Sequence, residues 1–227
     1  MSDLLDRYEQ VKQRIKVAAE QVGGCARPDL LAVSKKHEVA KIKLLAAVGQ
    51  RDFAESYVQE GIEKINQLRE LSLIWHFIGP IQSNKAKQIA LNFDWVHSVD
   101  RLKVLKLLNQ PRPVDQPPLN VLLQIKIGGE LSKSGAGSDE ILNLAAVTRQ
   151  FEHIILRGLM CIPPASDDFN VQSKYFQQAK AVFDQLADTY DTVDTLSMGM
   201  SGDLEAAIQT GSTVVRIGTD IFGPRPG

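Results

Sequence analysis

A single (β/α)8 barrel of the TIM type, α/β in class, with an additional helix at its N-terminus, is the fold this sequence predicts, and three observations carry the prediction. Eight short apolar runs of strand length alternate with segments of helical spacing, the pattern of parallel strands joined by crossover helices. The first run is followed by Ser34-Lys35-Lys36-His37 and not by a glycine-rich turn, so the alternative, an open doubly wound sheet, lacks its dinucleotide fingerprint. The 227 residues, 44% of them hydrophobic, suit one large domain over residues 1–227 better than two small ones.

The elements follow in order. Leu4, Leu5, Tyr8, Val11, Ile15, Ala18, Ala19 and Val22 recur at helical spacing over 3–22, and Gly23-Gly24 stops the pattern. The expected strands are 30–34, 52–54, 75–78, 95–98, 120–127, 155–160, 195–197 and 213–217. The expected helices between them are 38–48, 56–71, 82–92, 100–109, 138–149, 169–188 and 202–209. Residues 109–118 hold four of the ten prolines and read as a stiff surface loop between a helix and a strand.

Composition excludes several classes of function. A net charge of -1 gives no broad electrostatic footprint for nucleic acid or an anionic membrane surface, so a small molecule is the expected partner. Cys25 and Cys161 resemble neither a disulfide framework nor a metal site and read as reduced thiols. The first nine residues carry charge from the third onward, and no apolar run approaches the ~18 residues of a membrane span. A cytoplasmic protein is expected. His37, His76, His97 and His153 are too scattered along the chain to suggest a metal.

The chemistry concentrates at the ends of the strands. Alternation puts Leu31, Val33 and Lys35 on one face, so if Leu31 and Val33 point into the barrel Lys35 does too, at the C-terminal rim where barrel enzymes keep their sites. The alternative is a solvated lysine at a strand end. Met198-Gly199-Met200-Ser201-Gly202-Asp203 follows the seventh strand, where Ser201 is expected to cap the next helix and leave its N–H groups toward an anion. Gly218-Thr219 follows the eighth strand and completes a phosphate cradle of the kind this fold builds from its last two loops. A lysine facing that cradle suggests a Schiff base to a phosphorylated aldehyde. Arg216 lies in an otherwise apolar strand and needs either an internal carboxylate or an acceptor on a bound ligand. His76 is placed near a strand exit, as a hydrogen-bonded structural residue or as a base, and Ser132-Lys133-Ser134-Gly135 forms a cationic loop.

Seven motifs carry a resemblance: Ala-Val-Ser-Lys (32–35), Tyr-Val-Gln-Glu-Gly (57–61), Trp-His-Phe-Ile-Gly-Pro-Ile-Gln-Ser-Asn-Lys (75–85), Ser-Lys-Ser-Gly (132–135), Leu-Arg-Gly-Leu-Met (156–160), Leu-Ser-Met-Gly-Met-Ser-Gly-Asp (196–203) and Val-Arg-Ile-Gly-Thr-Asp-Ile-Phe-Gly (215–223). In this order, over nearly the whole chain, the sequence resembles the pyridoxal phosphate homeostasis proteins. The resemblance implies a barrel of the alanine racemase N-terminal type that binds pyridoxal 5'-phosphate (PLP), without established turnover, and keeps the free cofactor at safe levels. By position it implies a Schiff base at Lys35, a phosphate on Ser201, Gly218 and Thr219, and Arg216 at the pyridine nitrogen, and Ser56 and His76 are expected to complete the cofactor-binding set. PLP-dependent apo-enzymes are implied as partners, and a monomer is expected. Two departures stand out: Ser56 replaces an asparagine expected near the cofactor, and Lys126 replaces another at the end of the fifth strand. Two enzyme readings stay open, an amino-acid racemase or decarboxylase on the same cofactor and a Schiff-base aldolase on a sugar phosphate. Enzymes of the first kind add a β-rich domain, for which this sequence is expected to leave no room after its eighth unit.

Overall fold

A computed structural model describes residues 2–23, 27–113, 115–128 and 134–224. Eight strands close into one all-parallel barrel in sequence order: β1 (Asp29–Val33), β2 (Asp52–Glu55), β3 (Ile74–Phe77), β4 (Trp95–Val99), β5 (Leu119–Ile125), β6 (Ile154–Cys161), β7 (Thr195–Ser197) and β8 (Val214–Ile217), with β8 pairing back to β1. The expected fold class is therefore observed. The connecting helices are α2 (Val39–Ala47), α3 (Val58–Gln67), α4 (Ala86–Asn92), α5 (Leu102–Leu108), α6 (Ser138–Thr148), α7 (Phe169–Ala187) and α8 (Leu204–Gln209), and α1 (Ser2–Gln21) precedes the barrel.

The helix α1 forms because its apolar residues make one stripe. Leu4, Tyr8, Val11, Ile15, Ala18 and Ala19 are all buried, and at about 1.5–3 kcal/mol for each large apolar side chain removed from water this face holds the helix on the barrel. It ends where Gly23 adopts φ 63°. Two expected helices are divided by 3-10 turns: 56–71 splits into α3 and a single 3-10 turn at Arg69–Leu71, and 82–92 begins as a 3-10 turn at Ser83–Lys85. One element was not expected, a single-turn helix α9 (Thr219–Phe222) directly after β8. Four residues are too few for a periodic signal. The proline-rich loop is irregular and largely exposed over its described residues, and Arg112 fastens it by donating to Phe93 O at 2.9 Å.

The strand faces sort as alternation requires. Leu31, Val33, Ala54 and Val214 make a small cluster inside the barrel with Ile78 against it, whereas Ala32 joins the large core between strands and helices. The strand β6 is bulged: its register with β5 passes from Val121↔Leu156 to Leu122↔Gly158, which leaves Arg157 as the extra residue. Gly158 has φ 141°, and a Cβ there would sit 2.0 Å from Thr195 O, so only glycine lets β6 and β7 approach. The bulge turns Arg157 to the N-terminal mouth of the barrel, where it donates to Asp194 and Asn120 and lies over the Trp95 ring at 4.7 Å.

Candidate functional site

At the C-terminal mouth a cleft of about 250 Å³ is lined by Lys35, His37, Arg216, Ser201, Gly202, Gly218 and Thr219, with Val33, Ile78, Met160, Ile162 and Met200 as its apolar walls. Sequence reasoning therefore brings five of its candidates together here: Lys35, Ser201, Arg216, Gly218 and Thr219. Among the described residues three cationic or basic side chains and two hydroxyls line this cleft and no carboxylate does, a lining whose chemistry suits an anion with an apolar body.

Lys35 is aimed by its neighbours on both sides. Ser34 N–H donates to Ala54 O at 3.0 Å, Ser34 Oγ donates to Glu55 at 2.6 Å, and Lys64 Nζ donates to Ser34 O at 2.8 Å. Lys36 follows in the left-handed region, φ 63°, with its N–H on Glu60 Oε1 at 2.6 Å. The chain is thus pinned before and after Lys35, while Lys35 itself is half-buried and reaches Ser56 Oγ at 3.3 Å. Ser56 and Lys35 also border a second cleft of about 550 Å³ with Tyr57, Gly79, Pro80 and Lys85. The substitution at position 56 therefore leaves a hydroxyl in contact with the lysine amine.

The anion side is built by the loops after β7 and β8. Among the described residues the N–H groups of Ser201, Gly202 and Thr219, and the hydroxyls of Ser201 and Thr219, donate to no protein acceptor. Gly199, at φ 97°, packs this loop onto α8, because a Cβ there would meet Ala207 Cβ at 2.6 Å, and its carbonyl takes Arg216 N–H at 2.9 Å. Ser201 does not cap α8 as expected: the helix begins three residues later, its cap is Asp203, and Asp203 Oδ1 instead takes Met200 N–H at 2.5 Å. The physical reason is local, since closing that turn from Asp203 leaves Ser201 free to face the cleft. Behind the loops, Arg14 of α1 bonds Glu205 at 2.9 and 3.0 Å, Asp220 at 2.6 Å and Ser201 O at 3.1 Å, tying α8, α9 and the loop to one guanidinium.

Arg216 is buried at 4% exposure and its partners are neutral: Ser197 O at 2.7 Å, Ser197 Oγ at 2.8 Å and Cys161 O at 2.9 Å. Burial lowers its pKa from the usual value, with Cys161 and Asp203 opposing, but a guanidinium stays charged. Among the described residues no carboxylate pairs with it, so of the two readings the internal ion pair is absent. Burial also pushes the Cys161 thiol up to about 12, which makes it a protonated structural group and not a nucleophile.

His76 does not belong to this cleft. It is buried in the middle of the barrel, hydrogen-bonded to His97 and Asp52, and it lines the cavity at the opposite mouth. The expectation that it meets a ligand near the strand exit is corrected: His76 and Ile78 share one face of β3, but His76 lies a layer deeper, and it is Ile78 that reaches the C-terminal cleft. Lys126 is half-buried, gives its N–H to Ala136 O at 2.9 Å, and is not among the residues lining the cleft. Ser132 and Lys133 lie outside the described residues. What sequence reasoning missed is the pair Glu55 and Lys64 behind Lys35, for which the only signal was Glu60 four residues before Lys64 on one helix.

A closed parallel barrel whose C-terminal cleft is lined by a lysine and by the loops after β7 and β8 defines the class, and a family model described as the alanine racemase N-terminal domain matches residues 7–226. The pyridoxal phosphate homeostasis protein of Vibrio cholerae serotype O1 is 47% identical over 231 residues, covering 99% of this chain and 98% of that protein. That of Escherichia coli strain K12 is 46% identical over 229 residues, with the same coverage. The structure of PipY of Synechococcus elongatus PCC7942 with PLP bound is 31% identical, with a TM-score of 0.79, covering 97% of this chain and 100% of that one. The chain belongs to the pyridoxal phosphate homeostasis protein family.

Proposed function

We propose that this protein holds PLP at Lys35 and serves as an intracellular buffer of the cofactor, releasing it to apo-enzymes, without turnover of its own. The observation that carries the reading is the one cleft that Lys35, the buried Arg216 and the donors of Ser201 and Thr219 line together. PLP supplies, when bound, an aldehyde that condenses with an amine and an electron-withdrawing ring. The residues fit such a ligand. Ser201, Gly202 and Thr219 offer donors to a phosphate dianion, and Gly218 lets the chain come close to it. Arg216 only donates, so it suits a ring nitrogen that carries no proton and works against a strongly electron-withdrawing ring. Ser56 Oγ, bonded to Lys35 Nζ, steadies the amine. The names of the relatives and the PLP-bound neighbour support the same reading.

No described helix is long and apolar enough to cross a membrane; the buffer is proposed to act in the cytoplasm, as a monomer. Mixing the purified protein with PLP, removing free cofactor by gel filtration and recording the absorption spectrum tests the reading. The protein should retain one equivalent and absorb in the visible, and Lys35→Arg should not. A colourless protein that lets the cofactor pass would overturn the proposal. Retention of a sugar phosphate with no visible band would favour the aldolase reading instead.

A further inference from the structure

A line of hydrogen-bonded side chains crosses the middle of the barrel, and the proposed function uses only its last member. Asp52 Oδ1 lies 3.1 Å from His76 Nε2, His76 Nδ1 lies 2.9 Å from His97 Nε2, and His97 Nδ1 lies 3.1 Å from Ser197 Oγ. Arg216 Nη1 donates to that same Ser197 Oγ at 2.8 Å. The five residues come from β2, β3, β4, β7 and β8, so only the closed barrel assembles them. Asp52 is 34% exposed at the N-terminal mouth, while His97 and Ser197 are fully buried.

Chemistry fixes the direction of the line. A guanidinium can only donate and an ionised carboxylate can only accept, so every group between them passes its hydrogen the same way. Ser197 Oγ, having accepted from Arg216, donates its one hydrogen to His97 Nδ1. His97 Nε2–H then donates to His76 Nδ1, and His76 Nε2–H donates to Asp52. The opposite polarity would set an N–H of His97 against Ser197 and leave the buried hydroxyl hydrogen with no acceptor among the described residues, at a cost of about 1–3 kcal/mol. Barrels of this type usually fill this layer with branched apolar side chains, and a polar line in its place is tolerable only when every member is satisfied.

We propose that Asp52, His76, His97 and Ser197 are positioning residues for Arg216. They keep Ser197 Oγ as an acceptor and so hold the guanidinium in the orientation it presents to the cleft. The N-terminal mouth of the barrel, where Asp29 and Asp52 border a cavity of about 230 Å³, thereby becomes part of the cofactor site at the other end. The link to the cofactor rests on the proposed function; the direction of the line does not.

Two measurements separate them. In the ligand-free 15N-labelled protein, long-range proton–nitrogen spectra, assigned with His→Gln variants, should show hydrogen on Nε2 and not Nδ1 of both His76 and His97. For His97 this should persist across the range in which an ordinary histidine titrates, about pH 5 to 8. Burial holds its pKa well below the usual value, reinforced by His76 from β3 and Arg216 from β8, with Asp52 and Asp29 beyond His76 and Cys161 beyond Arg216. Hydrogen on His97 Nδ1, or a titration there in the ordinary range, would overturn the proposal.

In the PLP-loaded protein, His97→Phe should shift the visible band and weaken retention about 3- to 10-fold, the scale of one hydrogen bond. His97→Asn, which keeps an acceptor for Ser197, should return both toward wild type. If His97→Phe does not fold, Ser197→Ala breaks the same link with a smaller change. A wild-type band and retention in the variants that break the link would overturn the role toward Arg216. Failure of the wild-type protein to take up PLP would count against the proposed function, and the nitrogen spectra would still decide the line.

Discussion

Glu60 Oε1 accepts the backbone N–H of Lys36 at 2.6 Å, and the same oxygen takes Lys64 Nζ at 2.7 Å. The turn that follows Lys35 is thus held in its left-handed conformation by a carboxylate on α3, and that carboxylate is held by a buried lysine. A non-glycine residue in that region costs on the order of 1–2 kcal/mol, which these bonds offset.

Lys64 is also the sole cation on Glu55, at 2.8 Å, among the described residues, and both side chains are almost wholly buried. Burial pushes the Glu55 carboxyl up while Lys64 and Ser34 pull it back. Lys64→Met should therefore cost about 3–5 kcal/mol, because it strands a buried carboxylate, and Lys64→Met/Glu55→Gln should recover part of the loss. Thermal unfolding of the three proteins checks this. A single variant as stable as wild type would mean that the pair does not hold the β1 end.

The cradle can be weakened without touching the lysine. Thr219→Ala and Ser201→Ala each remove a hydroxyl that faces the cleft, and a charge-assisted hydrogen bond to a dianion contributes about 1.5–3 kcal/mol. Each change should loosen PLP retention about 10-fold or more with unchanged thermal stability of the unloaded protein. Unchanged retention in both variants would take the phosphate away from this corner.

Arg14 predicts a pH dependence. Burial pushes the Glu205 carboxyl up, but the Arg14 hydrogen bond, the local backbone N–H and the Arg14 charge together outweigh it and hold the carboxyl below its usual value. A depressed carboxyl contributes stability above its unfolded pKa that is lost as pH falls through the folded one. Arg14→Gln should therefore melt below wild type at neutral pH, and the gap should close as the pH drops below the ordinary carboxylate range. Both side chains are more than a third exposed, so the pair itself contributes under about 1 kcal/mol. A gap that stays constant into acid would assign the effect to packing.

Much of this site was legible in the sequence. Alternation about Leu31 and Val33 placed Lys35 correctly, and the motifs after β7 and β8 placed Ser201, Gly218 and Thr219 in one cleft. The depth of His76 was not legible, because strand alternation gives the face and not the layer, and the layer depends on the stagger of the closed barrel. The helical start at Leu204 was hidden for another reason: Ser201 and Asp203 are both good cap residues, and only the folded loop decides between them. His97 looked isolated because its partners lie on strands 21 and 100 residues away.

Proton exchange at an amino acid tests the absence of turnover. Exchange on both faces of a bound amino acid needs two positioned acid–base groups; His76 lies on the other side of the barrel, and in a protein without turnover Lys35 and His37, which both line the cleft, are expected not to flank one α-carbon. Incubating the loaded protein with alanine in deuterated water should leave the α-hydrogen in place at enzyme-like times. Deuterium uptake at several turnovers per second, on the scale of ordinary enzymes, would make the protein a catalyst.

Attachment at Lys35 is the central claim, and borohydride reduction of the PLP-loaded protein followed by peptide mapping tests it most directly. The expected result is a pyridoxyl label on Lys35, absent in Lys35→Arg. A label found mainly on Lys36, Lys126 or Lys133, with Lys35 unmodified, would contradict it.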